Sequence, residues 1–136
     1  MSLTNRIKIL KRERLEDSRG WFLKVINGKE EGLGEHVGEV YLTSAKENYA
    51  RGNHYHGLAT EWFTLIQGKA TLLLKDIESM ELLELSLDAN VSETIVVPPK
   101  VAHTFINNET DDFLLLAYTN RHYDSKDTIA YILDKD

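Results

Sequence analysis

The sequence predicts an all-β sandwich or barrel. Roughly ten short apolar or alternating runs follow one another, turn residues separate them, and no stretch sustains the helical period. Such an array of strands leaves open edges, and closing the sheets on themselves is the usual way to manage them.

The elements read as follows. Residues 7–11 alternate weakly and form a first strand, and Glu16-Asp17-Ser18-Arg19-Gly20 is a turn. Residues 21–26 make a second strand, ended by Asn27-Gly28, a pair that favours left-handed turns. Gly32-Leu33-Gly34-Glu35-His36 is a loop. In a strand over 37–44, Val40 and Leu42 share one face and Tyr41 and Thr43 the other. Residues 51–56 follow, then 61–66, then 70–74 across the turn Gln67-Gly68. Residues 83–87 alternate cleanly, and 94–97 lead into Pro98-Pro99, which has to lie outside a central ladder because proline lacks the N–H. Residues 103–107 and 113–118 are further strands, and 127–133 add an edge strand or a short helix. Trp21 and Trp62 read as core, and His36 and His122 as solvated loop residues.

A chain of 136 residues suits one domain with one core. Met1-Ser2-Leu3 is given no weight, so the expected domain is 4–136. The formal net charge of −6 and the lack of any basic stretch argue against general nucleic-acid binding. No apolar run approaches the ~20 residues that span a bilayer, and the first residues lack the apolar segment of a signal peptide. With no cysteine there is no disulfide framework. The expected location is the cytoplasm, and any anionic ligand has to be held by a few local cations.

One stretch organises the chain: Arg51-Gly52-Asn53-His54-Tyr55-His56, with Glu61 and Gly68 after it. Two histidines one residue apart on a strand point to the same face. Glu61 opens the next apolar run, and His103 lies far along the chain after Pro98-Pro99. Two histidines and a glutamate that converge in a sheet make a candidate metal site or acid–base site.

The spacing of these residues resembles the cupin motifs. His54-x-His56, Glu61 and Gly68 look like the first motif; Pro98-x-Lys100-x-x-His103 and Asn107 look like the second. Three glycines of the pattern are replaced, by Asn48, Ser92 and Lys100. Those glycines serve turns, whereas the four ligand positions carry ligand-type residues: His54, His56, Glu61 and His103. The resemblance implies a double-stranded β-helix, the cupin jelly roll. Asp17-Ser18-Arg19-Gly20-Trp21-Phe22, Tyr41 and the hexapeptide 51–56 are similar, more narrowly, to the sugar-nucleotide cupins. That group includes the dTDP-4-dehydrorhamnose 3,5-epimerases, the dTDP-sugar 3,4-ketoisomerases and the zinc cupin domain of capsular polysaccharide-assembling reductases.

This resemblance implies an isomerase or epimerase acting on a nucleotide-linked 4-keto-6-deoxy sugar in surface polysaccharide biosynthesis. A 4-keto group acidifies the neighbouring C–H bonds, so the reaction needs a base, a group to stabilise the enolate and an acid to return the proton. His54 or His56 suits the base, Tyr41 the acid or orienter, and Arg51 or a metal the carbonyl. Arg19 would hold the diphosphate, across the interface of an expected homodimer. Three histidines and a glutamate suit a divalent metal, zinc first, with iron, nickel and manganese as alternatives. A nitrogen that binds metal cannot also serve as base, and the sequence leaves both arrangements open. The alternatives are a non-catalytic sugar- or small-molecule-binding metal cupin and, third, a metal-dependent dioxygenase.

Overall fold

The computed structural model describes residues 2–18, 20–33 and 38–133; Arg19 and His36, together with the side chain of Trp21, lie outside the described residues. A short helix α1 (Leu3–Arg6) opens the chain, and twelve strands follow among the described residues. They are β1 (Lys8–Lys11), β2 (Arg14–Asp17), β3 (Gly20–Leu23), β4 (Glu39–Ala45), β5 (Ala50–Tyr55), β6 (Glu61–Gln67), β7 (Lys69–Asp76), β8 (Leu82–Asp88), β9 (Glu93–Val97), β10 (Val101–Ile106), β11 (Phe113–Thr119) and β12 (Ile129–Ala130).

Ten of these strands form two five-stranded antiparallel sheets, ordered β1-β9-β6-β11-β4 and β12-β5-β10-β7-β8, while β2 and β3 form a hairpin. Alternation explains the layering: β7 and β11 bury every second residue, and Leu72, Leu74, Phe113 and Leu115 enter one core with Phe63 and Phe105. This is the expected double-stranded β-helix of the cupins. Among the described residues no helix is long and apolar enough to cross a membrane.

Three local expectations need correction. Residues 14–17 form a strand where a turn was expected to begin at Glu16, and β3 ends at Leu23, short of residue 26. β2 is mostly exposed and carries no apolar alternation; pairing of Asp17 with Gly20 across a tight hairpin holds it. The third correction concerns the first residues. Leu3 is only 1% exposed and belongs to the core, and Ser2 caps α1. Arg6 then ties the helix to the barrel through Asp76 and the carbonyl of Pro99.

Two of the three replaced glycines keep the glycine conformation. Asn48 (φ 69°) and Lys100 (φ 64°) both lie in the left-handed region, which asparagine tolerates and lysine seldom adopts. Lys100 N donates to the carbonyl of His56 (2.7 Å), so this turn is fastened directly to the His-x-His segment. Asn107, fully buried, closes its own turn: Nδ2 donates to the carbonyls of Ala45 and Asp111, and Oδ1 accepts from Glu109 N.

The hexapeptide has a structural reason as well. β10 pairs β5 with His103 opposite His54 and Thr104 opposite Gly52, so Asn53 is the extra residue of a β-bulge. Asn53 takes φ 59° and Gly52 φ 118°. A Cβ on Gly52 would stand 2.6 Å from the carbonyl oxygen of His103. Gly52→Ala should therefore lower stability by about 1–3 kcal/mol or more, the cost of one strained backbone position. At Gly32, also at positive φ, a Cβ meets nothing within 4 Å. Denaturant unfolding should show a smaller loss for Gly32→Ala; equal losses would mean that the close approach at Gly52 is unimportant.

Candidate functional site

Both sheets contribute to one cluster at the end of the barrel. The bulge at Asn53 re-aims His54, and His56 follows just past the end of β5. His103 lies on β10 directly beside His54, and Glu61 begins β6 in the opposite sheet. One donor atom from each of His54, His56, Glu61 and His103 lies within 4.8 Å of all the others. Convergence of these four is what the two-part spacing of the sequence called for.

The hydrogen bonds fix which ring nitrogens face inward. His56 Nδ1 lies 2.9 Å from the carbonyl of Asp127, and His103 Nδ1 lies 3.1 Å from the carbonyl of Val101. A carbonyl only accepts, so both Nδ1 atoms carry the proton. Each neutral ring then turns a bare Nε2 lone pair toward Glu61 Oε1, at 2.9 Å from His56 and 3.2 Å from His103. These three atoms are buried and have no hydrogen-bond partner. Glu61 Oε2 is satisfied separately, by the hydroxyl of Tyr41 at 3.0 Å.

Three electron pairs that face one another in this way could hold a cation between them. Donors held about 2.0–2.2 Å from a zinc ion are spaced roughly 3–3.5 Å apart, close to the separations of Glu61 Oε1 from His56 (2.9 Å) and His103 (3.2 Å). The carbonyls behind His56 and His103 are the outer partners that orient metal-binding imidazoles. The cluster could hold a metal, and its three nitrogens and one oxygen suit borderline divalent ions.

With a proton between these rings and Glu61, the balance changes. Burial works to raise the Glu61 carboxyl, but His103 and His56 as hydrogen-bond donors outweigh it and hold the group far below the ordinary carboxylate range. Burial works to lower His56, but Glu61 and the Asp127 carbonyl raise it on balance above the ordinary imidazole value. Burial, aided by His103 and His56, pushes His54 down to about 4 and keeps it neutral. Burial, with the adjacent Glu61 carboxylate, raises the Tyr41 hydroxyl far above its usual value, so it remains a donor.

Two cavities meet at this cluster. A cleft of about 370 Å³ is lined by Tyr41, His54, His56 and Glu61 on the barrel side and by Arg121, Tyr123 and Asp127 on the other. A second, of about 210 Å³, contains Arg51, His54, His103 and Tyr41 above Phe63 and Phe105. Tyr41 and His54 line both. Arg51 also donates from Nε to the carbonyl of Ser44 (2.6 Å). The sequence did not single out Arg121, Tyr123 or Asp127, and His122, read as solvated, is exposed but lines the larger cleft.

Comparison with known proteins places this geometry in context. Residues 15–131 match the model of the polysaccharide biosynthesis C-terminal domain family. The UDP-2-acetamido-2,6-beta-L-arabino-hexul-4-ose reductase of Pseudomonas aeruginosa is 25% identical over 115 residues, 85% of this chain but 29% of the reductase. The chain thus spans less than a third of that relative. Three solved structures share the fold. A dTDP sugar isomerase from Desulfovibrio desulfuricans has a TM-score of 0.84 at 16% identity, over 94% of this chain and 85% of the isomerase. The dTDP-4-dehydrorhamnose 3,5-epimerase of Bacillus anthracis gives 0.84 at 17%, over 100% of this chain and 84% of the epimerase. The capsular polysaccharide assembling protein CapF of Staphylococcus aureus gives 0.68 at 22%, over 90% of this chain and 34% of CapF.

Protein purified without chelator should carry about one divalent ion per chain, and His103→Ala should lose it. Because the His56 pKa is raised in the metal-free protein, a metal has to displace its proton. The apparent affinity should therefore fall as pH drops through that raised pKa, beginning above the ordinary imidazole value, by about tenfold per pH unit for one displaced proton. A metal-analysis series over pH that shows no ion, or a pH-independent affinity, would contradict this arrangement.

Proposed function

Since the chain belongs to the polysaccharide biosynthesis C-terminal domain family, we propose that it is an isomerase or epimerase of a nucleotide-linked 4-keto-6-deoxy sugar in surface polysaccharide synthesis. The observation that carries this reading is the convergence of His54, His56, Glu61 and His103 at the meeting point of two cavities. The shared fold of the dTDP sugar isomerase and the 3,5-epimerase supports it.

The residues divide the work as follows. His56, Glu61 and His103 hold the metal, with His54 as a fourth ligand or as the base. A bound metal would supply Lewis-acid polarisation of the sugar carbonyl. No hydrogen bond ties the His54 ring among the described residues, and it opens on both cavities, so of the two strand histidines it is the one placed to reach a substrate, with a basicity that burial lowers. His56, whose two nitrogens face the Asp127 carbonyl and Glu61, is the weaker choice. Tyr41 stays protonated, and its one hydroxyl proton, held by Glu61 Oε2 before substrate enters, turns to the substrate oxygen to steady the developing enolate or to return the proton. Arg51 lines the smaller cavity and assists at the carbonyl oxygen. Arg19, outside the described residues, is proposed to hold the diphosphate.

A second reading is a binding module without turnover. It draws on one observation: the matching relative is a longer reductase, of which the matched part covers only 29%. In heavy water with a nucleotide-linked 4-keto-6-deoxy sugar, the enzyme reading expects deuterium to enter C3 faster than in buffer alone. His54→Asn should slow exchange by about 10²-fold or more, and Tyr41→Phe should slow it while leaving binding nearly intact. Binding without exchange at C3 or C5 would replace the enzyme reading with the binding module.

We also propose that the chain is a homodimer. Val40 and Leu42, 60% and 61% exposed, point away from the cavity that Tyr41 and Thr43 line, and they pair across to Tyr118 and Leu116 on β11. This outward apolar strip suits a second copy of the same sheet. Light scattering should give the mass of two chains at micromolar concentration, and Leu42→Lys should shift it to one chain. A monomeric wild type would remove the dimer and any cross-subunit role for Arg19.

A further inference from the structure

After β11 the chain returns to β5 and runs along its free edge. Ile129 and Ala130 pair with Tyr55 and His54, and Tyr131 N donates to the carbonyl of the bulge residue Asn53 (2.8 Å). At the head of this strap, in a single 3₁₀ turn over Ser125–Asp127, Asp127 makes four contacts with one short segment. Its Oδ1 accepts from Gly57 N (2.8 Å) and Leu58 N (2.9 Å), and its Oδ2 from Ala59 N (3.2 Å). Its own carbonyl accepts from His56 Nδ1 (2.9 Å).

We propose that Asp127 is a positioning residue for His56: its carboxylate, gripping the three N–H groups that follow the histidine, locks its carbonyl against Nδ1. That grip fixes the ring with the proton on Nδ1 and the lone pair of Nε2 toward Glu61. The side chain and the main chain of one residue thus act on two sides of the same loop. Neither half suffices alone. A carbonyl on an unanchored strap has no reason to stay in the plane of the imidazole, and a carboxylate cap without the carbonyl sets no ring state. Gly57 is part of the fit, because a Cβ there would stand 3.2 Å from Asp127 Oδ1. Asp127 and Thr128 also line the larger cleft, so a ligand filling the cleft touches the segment that orients His56.

The consequence for metal affinity rests on the metal-holding reading of the cluster; the ring state does not. Long-range ¹⁵N–¹H spectra of metal-free protein at about pH 9, where imidazoles are neutral, report the tautomer of each histidine. His56 should be protonated at Nδ1 in the wild type and lose that preference in Asp127→Ala. Zinc affinity, measured by chelator competition, should fall by about 10–100-fold, the usual effect of removing an outer partner of a ligating histidine. Asp127→Asn, which keeps one accepting oxygen, and Gly57→Ala, which pushes on the carboxylate, should each give a smaller change in the same direction. They also keep the test alive should Asp127→Ala fail to fold. An unchanged His56 tautomer in all the folded variants, with zinc affinity within about twofold of wild type, would overturn the proposal. A wild type that takes up no zinc would sink the metal reading, and the tautomer comparison would still decide the role of Asp127.

Discussion

The carboxylate oxygen Glu61 Oε1, facing two imidazole nitrogens whose opposite sides are already committed to backbone carbonyls, is the constraint on which this end of the barrel depends. Leaving a buried polar atom unsatisfied costs about 1–3 kcal/mol. Three such atoms pointing at each other add electrostatic repulsion to that penalty. A proton drawn to His56 relieves one contact and leaves the other. A divalent ion relieves all of them, which is why the metal reading comes first and the purely acid–base reading second.

The rest of the fold can be understood as the means of keeping those atoms in place. β10 sets His103 beside His54, and the bulge at Asn53 re-aims the end of β5 so that His54 and, just past the strand, His56 share its side. Gly52 makes that bulge possible because the backbone of His103 passes where a side chain would otherwise lie. Beneath the cluster, Phe63 packs against both His103 and Phe105. An apolar floor lowers the local dielectric, and every interaction among the charged and polar atoms above it is strengthened accordingly.

Much of this was legible from residue types and spacing, and the reason is periodicity. A period of two puts His54 and His56 on one face whatever the rest of the chain does. The long apolar runs at 61–66, 70–74 and 113–118 became strands because nothing else buries them so well. Less legible were features held by the backbone. β2 has no apolar pattern and exists through pairing with β3. The carbonyls of Val101 and Asp127, which choose the histidine tautomers, leave no mark in residue identity. Asp127 looked like one acidic residue in a polar tail, and only the return of the strap along β5 gives it a role. The replaced glycines show the converse: residue type suggested altered turns at Asn48 and Lys100, yet both keep a positive φ.

The two cavities impose an order on any ligand that enters. They meet at His54 and Tyr41, and their linings differ. The smaller is floored by Phe63, Phe105 and Leu115, with Arg51 at its side; the larger has Arg121, Tyr123 and the strap around it. Under the proposed reading, a sugar with a deoxygenated carbon has an apolar end that suits the smaller space. Its nucleotide, too large for about 210 Å³, has to extend through the larger one. The ring carbon bearing the acidic hydrogen then falls between them, beside His54 and the Tyr41 hydroxyl. A base on one side and, on the other, a hydroxyl that exchanges Glu61 for the substrate is the arrangement that proton removal and return require. That Glu61 serves both the metal-type cluster and Tyr41 links the two halves of the chemistry through one carboxylate: one oxygen faces the histidines, and the other holds the hydroxyl in place.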